Sequence, residues 1–317
     1  MRERSMVPEP EFESYYGRQI IKTPTWKTPD VPLYLFLGGL SGASALLAEG
    51  AALSGNAELE RFTRVVAAAG AGVGTGFLVH DLGRPERFLN MLRVLRPTSP
   101  LSVGSFILAP FASLSSAAVA SHLTGRLPRL GRLAGVGAAG FGGPLATYTA
   151  ALFANTAVPI WHSARRELPF VFAGSGAAAA GGLAMAALPV RATGPARRLA
   201  LAGAGLELSA ATTMERRLGM LAEPYHQGRS GTLMRAARAA TLAGGVLAAV
   251  GGGSRVLRGL GGIALVAGSV TTRFAIFEAG LASARDPKYT VIPQKERIAA
   301  RQRAEGADPT HVGTTAG

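Results

Sequence analysis

The chain contains no cysteine among its 317 residues. That removes disulfides, zinc–thiolate sites and iron–sulfur clusters held by this chain alone. Charge is scarce too. Asp, Glu, Lys and Arg make up 16% of the residues, against about 25% in an ordinary soluble domain. Histidine is thin: His80, His122, His162, His226 and His311 are all there is. A b-type haem anchor needs paired axial histidines inside a bundle, and none of the five falls mid-way along an apolar run, so no haem and no resident metal are expected. Hydrophobic residues reach 48%, with 42 glycines besides, which excludes a disordered chain. The net charge of +14 resembles a nucleic-acid signal. The basic residues, however, sit in short gaps between apolar runs, where they fit membrane-flanking loops and not a nucleic-acid groove.

A bilayer core of about 30 Å takes roughly 20 apolar residues in a helix. Eight runs approach that length, at 32–53, 62–80, 101–122, 133–155, 168–188, 197–214, 232–250 and 257–282. Their backbones must satisfy themselves in lipid, so they are read as helices. The expected fold is all-α: a polytopic membrane protein of eight transmembrane helices. The division is an extramembrane segment 1–31, a membrane domain 32–283 and a polar tail 284–317. No apolar stretch precedes the first span, so no cleavable signal is expected. An even number of crossings puts both termini on one side. That side carries twenty Lys and Arg against ten on the other. The short loops alone are balanced, and the tails tip the termini towards the cytoplasm.

Small residues recur inside the runs. Gly38 and Gly42, and the overlapping series Gly70, Gly72, Gly74 and Gly76, have the spacing that lets helix backbones approach closely. A dinucleotide loop would need a preceding strand and a soluble βαβ unit, and neither is present. Trp26, Trp161, Tyr225 and Tyr289 flank spans and are expected in an interfacial aromatic belt.

Ionisable side chains inside a bilayer are costly, and are functional or paired. Glu49 and Glu207 look like isolated acids at depth and are the candidates for a proton path. Arg273 and Glu278, five residues apart, each need a partner on another span. Structural ion pairing remains the competing reading for all of these.

The segment from His80 to Ser105 is the strongest local signal. Asp81 ends a helix within reach of Arg84 and Arg87, Gly83 and Pro85 make a turn, and Phe88 to Arg96 has amphipathic character. Ser99 or Thr98 then caps the next span, with Pro100 opening it. A well-made re-entry loop with an Asp–Arg clamp explains this segment structurally. The pattern Asp81-Leu82-Gly83-Arg84-Pro85-x-Arg87-Phe88, followed by Ser99-Pro100-x-Ser102-x-Gly104-Ser105, also resembles the signature loop of the NrfD/PsrC family of membrane subunits of polysulfide reductase and related molybdopterin oxidoreductases. Tyr15 to Arg18 with Thr25-Trp26-Lys27, Thr156 to Trp161, and Arg273 to Pro287 are similar to further stretches of that family.

The resemblance implies two four-helix bundles and a quinone site near the membrane face, with menaquinone or ubiquinone as substrate. It implies docking of a four-cluster-type iron–sulfur subunit, which in turn serves a molybdopterin catalytic subunit. On this reading His80 exchanges protons, since imidazole titrates near neutral pH. Asp81 orients His80 or relays the proton, and Arg84 and Arg87 hold Asp81 or the partner. Tyr16 and Trp26 cover the quinone pocket or the docking face. A transporter with no redox role, or a purely structural anchor, are the rival functions.

Overall fold

The computed structural model describes residues 20–84 and 86–306. Of these, 84% are helical and none is in a strand, so the described chain is all-α. A long helix stands on each of the eight apolar runs. They are α1 (Asp30–Leu53), α2 (Ala57–Leu82), α4 (Pro100–Thr124), α5 (Pro128–Ala154), α7 (Leu168–Ala187), α8 (Gly194–Leu218), α9 (Gly228–Val250) and α10 (Arg255–Arg285). Two short helices, α3 (Glu86–Met91) and α6 (Pro159–Ser163), lie in loops, and α11 (Lys288–Gly306) forms the tail. Six of the long helices (α1, α2, α4, α7, α9 and α10) have the length and apolar character to cross a membrane. The chain is thus a multi-pass membrane protein. Helices α5 and α8 are as long but less apolar. Glycine dilutes α5, and Arg197, Arg198, Glu207, Glu215, Arg216 and Arg217 dilute α8.

Local sequence sets the boundaries. Asn56 accepts the Leu59 N–H at the start of α2, and Ser254 accepts the Leu257 N–H at the start of α10, each relieving an orphan donor of a first turn. Gly83 and Gly125 end α2 and α4 in the left-handed conformation. Ser99 takes the N-cap position of α4 ahead of Pro100, without a side-chain bond.

Packing follows the small residues. α1 lies against α2 and α5, α2 against α4, and α4 against α5; α7 lies against α8 and α10, and α9 against α8 and α10. α1 and α5 also meet α7. Gly42 of α1 faces the Gly142 backbone of α5, and a Cβ at Gly176 of α7 would stand 2.7 Å from the Gly39 carbonyl oxygen. Gly70 and Gly74 face Ser41 and Leu37 of α1, whereas Gly72 and Gly76 face open space. Only one of the two overlapping patterns is therefore a helix contact.

The interfacial belt is not observed. Trp161 is fully buried, Tyr225 and Tyr289 are buried, and Trp26 is half-buried. Trp161 stacks on Phe153 at 4.2 Å and on Trp26 at 5.6 Å, and its indole N–H donates to the Ile276 carbonyl. The physical reason is Gly280, which leaves a slot in α10 that the indole fills. Sequence position near a span end does not say which face a side chain takes.

Candidate functional site

Three polar groupings are built into this frame. The first is at the end that carries both described ends of the chain. The segment before α1 lies across the end of α2: the Lys27 N–H donates to Asp81 Oδ1 at 2.8 Å, and Lys27 Nζ donates to the His80 carbonyl at 3.1 Å. That crossing brings Asp30, the first residue of α1, to His80. Asp30 Oδ2 is 2.6 Å from His80 Nδ1. The carboxylate is buried, at 7% side-chain exposure, while the imidazole is 73% exposed. With its proton on Nδ1, the imidazole donates to the buried carboxylate.

The structure thus gathers His80, Asp81 and Trp26, and adds Asp30 and Lys27, which the sequence reading missed. The only signal for Asp30 was an acid at the mouth of the first span, fifty residues from its partner. Asp81 is held by Lys27 and not by arginine: it makes no ion pair with Arg84 or Arg87 among the described residues. Both arginines are exposed, and Arg87 donates to the Leu82 carbonyl at 3.3 Å. Tyr16 lies outside the described residues. Trp26 is engaged by Phe153 and Trp161. Beneath the loop, Tyr34, Leu78, Leu108, Phe111 and Tyr148 are buried, and Tyr148 rests against Gly104. Leu89, Val94 and Leu95 of the loop are exposed. α3 spans only six residues, shorter than the amphipathic stretch, because Arg96 N–H and the Val94 carbonyl are drawn to Ser102 Oγ. At the same end, a cleft of about 570 Å³ runs between α11 and the α5–α6 turn, lined by Ile21, Thr156, His162, Tyr289 and Arg297.

The second grouping is at mid-depth, among α7, α8, α9 and α10. Glu207 is 4% exposed and Arg273 is fully buried. Thr272 donates to Glu207 Oε1 at 2.7 Å, and Ser175 bonds Ser269 at 2.8 Å. Arg273 lies 3.9 Å over the Phe172 ring and donates from Nη2 to the Phe172 carbonyl at 3.0 Å. Glu207 and Arg273 interact electrostatically, but no N–O contact within 4.0 Å joins them. Glu207 Oε2, Thr241 Oγ1 and Arg273 Nε and Nη1 are buried without a partner. Glu207 sits about 16 Å along the helix from Leu218 and about 20 Å from Gly194. Of the two residues expected to pair across helices, Glu278 meets Arg229 of α9 at 3.9 Å, whereas Arg273 bonds the Phe172 carbonyl of α7 and makes no ion pair among the described residues.

The third grouping is at the far end, about 28 Å along α1 from Asp30. Glu49 is not an isolated acid. It pairs with Arg64 at 2.7 Å and Arg132 at 3.6 Å, and Arg64 pairs with Glu60 at 2.9 Å. Two arginines, from α2 and α5, meet it because α1 ends between them.

No group of three or more metal-ligating side chains occurs among the described residues. No curated protein matches the chain. The family model described as polysulphide reductase, NrfD, matches residues 21–222, which covers more than half of the chain and takes in the His80 loop, Asp30 and Glu207 but not α9 or α10. These are membrane-bound partners of oxidoreductase subunits. By that match, and by the all-helical membrane frame that carries it, the chain belongs to the NrfD polysulphide reductase family.

Proposed function

We propose that this chain is the quinone-interacting subunit of a respiratory oxidoreductase in the cell membrane. It exchanges electrons between an iron–sulfur subunit and menaquinone or ubiquinone, while a molybdopterin subunit carries out the substrate chemistry. All eight long helices cross the bilayer in two four-helix bundles, α1-α2-α4-α5 and α7-α8-α9-α10, and both termini face the cytoplasm. The helix contacts support the bundles, since each set of four closes on itself.

The observation that carries the reading is the His80–Asp30 pair. Reducing a quinone to a quinol takes two electrons and two protons. The chain has no cysteine to hold a cluster, and on this reading the electrons come from the partner's cluster. His80 holds a proton at Nε2 for the substrate oxygen. Asp30 fixes the ring through Nδ1, as a positioned acid–base group requires. Asp81 and Lys27 lock the chain entering α1 onto the end of α2, so Asp30 stays at His80. Arg84 and Arg87, exposed at the rim, are suited to meet an acidic partner surface, and Trp26 closes the aromatic cluster beneath. Glu207, alone of the two acids first considered, remains the proton-path group.

The test separates quinone chemistry from anchoring. In the purified complex, His80→Ala is expected to lower quinone-linked turnover by about 10²–10⁴-fold while activity with a soluble acceptor is unchanged. Asp30→Asn, which keeps the imidazole but loosens its positioning, is expected to lower it less. A His80→Ala complex that assembles and keeps full quinone-linked turnover removes His80 from the mechanism.

A further inference from the structure

The far end holds a cleft that the quinone reading does not use. It lies between α2, α4 and α5, has a volume of about 230 Å³, and is lined by Glu60, Arg64, Ser121, His122 and Arg132 among others. Its one lining acid is taken: Glu60 holds Arg64, which Glu49 holds as well. Its rim is not. Arg126 and Arg129 flank the lining residues Gly125 and Pro128, are exposed, and have no side-chain partner among the described residues. Arg61, at the adjoining cleft that shares His122, is also exposed and unpartnered. Arg198, on α8 at this end, is exposed too, but most other arginines here are committed. Arg191 pairs with Glu58, Arg197 holds the Ala248 and Ala249 carbonyls, Arg255 holds Leu188, and Arg258 holds Val190 and Thr193.

Two further features mark the place. Leu127, with φ 51, is the one non-glycine residue at positive φ among the described residues. Such a backbone costs on the order of 1 kcal/mol and persists where its surroundings enforce it. Here Ser121 Oγ donates to the Arg126 and Leu127 carbonyls, pinning the turn that presents Arg126 and Arg129. Below the rim, Leu130, Leu133 and Val136 of α5 are exposed at helical spacing, 59%, 67% and 53%. An arginine-rimmed cleft set directly above an outward apolar stripe matches a headgroup phosphate above an acyl chain, because arginine forks bind phosphate bidentately.

We propose that this cleft binds an anionic phospholipid, with Arg126 and Arg129 on the headgroup and the Leu130–Val136 stripe against its chains. The test uses the full-length chain in lipid nanodiscs or detergent, with native mass spectrometry reading bound phosphatidylglycerol and phosphatidylcholine, and the thermal midpoint followed with each lipid and with inorganic phosphate. The wild type is expected to prefer phosphatidylglycerol. Arg126→Gln with Arg129→Gln, which breaks no protein contact, is expected to weaken that preference about 30-fold, about fivefold per arginine. Arg166→Gln, at the other end, is expected to leave it intact. Equal binding of both lipids by the wild type, or a preference that survives the double substitution, overturns the proposal. Stabilisation by inorganic phosphate equal to that by phosphatidylglycerol overturns the assignment to lipid. None of these outcomes depends on quinone turnover.

Discussion

At Gly280 a single hydrogen atom makes room for an indole. A Cβ there would fall within the Trp161 ring, which cannot retreat because it is stacked on Phe153 and bonded to Ile276. Gly280→Ala is expected to cost about 1–3 kcal/mol by overpacking, read as a lower thermal midpoint in detergent. Gly72 gives the opposite sign. It lies within α2 with nothing near a Cβ, so Gly72→Ala is expected to stabilise by up to about 1 kcal/mol through helix propensity. A different residue-scale cost attaches to Glu207 and Arg273. The two interact electrostatically without an ion-pair contact, and removing either leaves the other's buried polar atoms less satisfied, at about 1–3 kcal/mol. Arg273→Met and Glu207→Gln are each expected to lose that much in reversible unfolding. The double variant is expected to lose less than the sum, since no charge is then left uncompensated. An additive double variant would show that the two do not sense each other across the hydroxyls between them.

A polar knot joins helix α11 to the core. Lys288 Nζ lies 2.9 Å from Glu223 Oε2, and the Tyr289 hydroxyl donates to the same carboxylate at 3.2 Å. The Lys288 hydrogen bond, foremost, holds the Glu223 carboxyl below its usual range, and the same bond holds the Lys288 ammonium above its own. Glu223's contribution is therefore complete above its unfolded value, about 4.3, and is lost as pH falls through the lower folded value. Lys288's is complete below about 10.4 and is lost as pH rises through the higher folded value. A spin label on Arg301→Cys is expected to show constant mobility across the intervening range and a rise beyond either edge, with added salt narrowing the plateau because the pair is partly exposed. This knot was not legible in the sequence, since its partners lie more than sixty residues apart. The helices were. Apolar runs bounded by glycine, proline and charge located all eight, because breakers and hydropathy act locally. What was lost is whatever depends on which face meets which neighbour: Asp30 at His80, Lys27 at Asp81, the inward turn of Trp161, and the arginines that claim Glu49. Each needs the three-dimensional neighbour to be known before the residue's role can be read.

For the whole molecule, the number of crossings decides what the two ends can contact. Six helices carry the apolar length of a span, and the proposal of eight requires α5 and α8 to cross as well. Both have polar ends, and each turns a face inward: α5 against α1, α4 and α7, and α8, on the side that carries Glu207, against α7 and α9. A helix screened by protein needs less apolar surface than one facing lipid, which is why glycine-rich α5 and Glu207-bearing α8 are compatible with crossing. The absence of cysteine makes the count measurable, because any introduced thiol is the only one. Single variants Ser54→Cys, Arg166→Cys, Gly253→Cys and Arg301→Cys are expected to label with an impermeant thiol reagent in two classes. Arg301 and Arg166 report from one side of sealed vesicles, Ser54 and Gly253 from the other. If α5 and α8 stayed on one surface, the chain between them would be inverted and Arg166 would label with Ser54, while Gly253 and Arg301 kept their sides. The Arg166 position alone therefore distinguishes eight crossings from six. It also fixes whether the α6 turn and its cleft share a face with His80, as a partner docking across both would require.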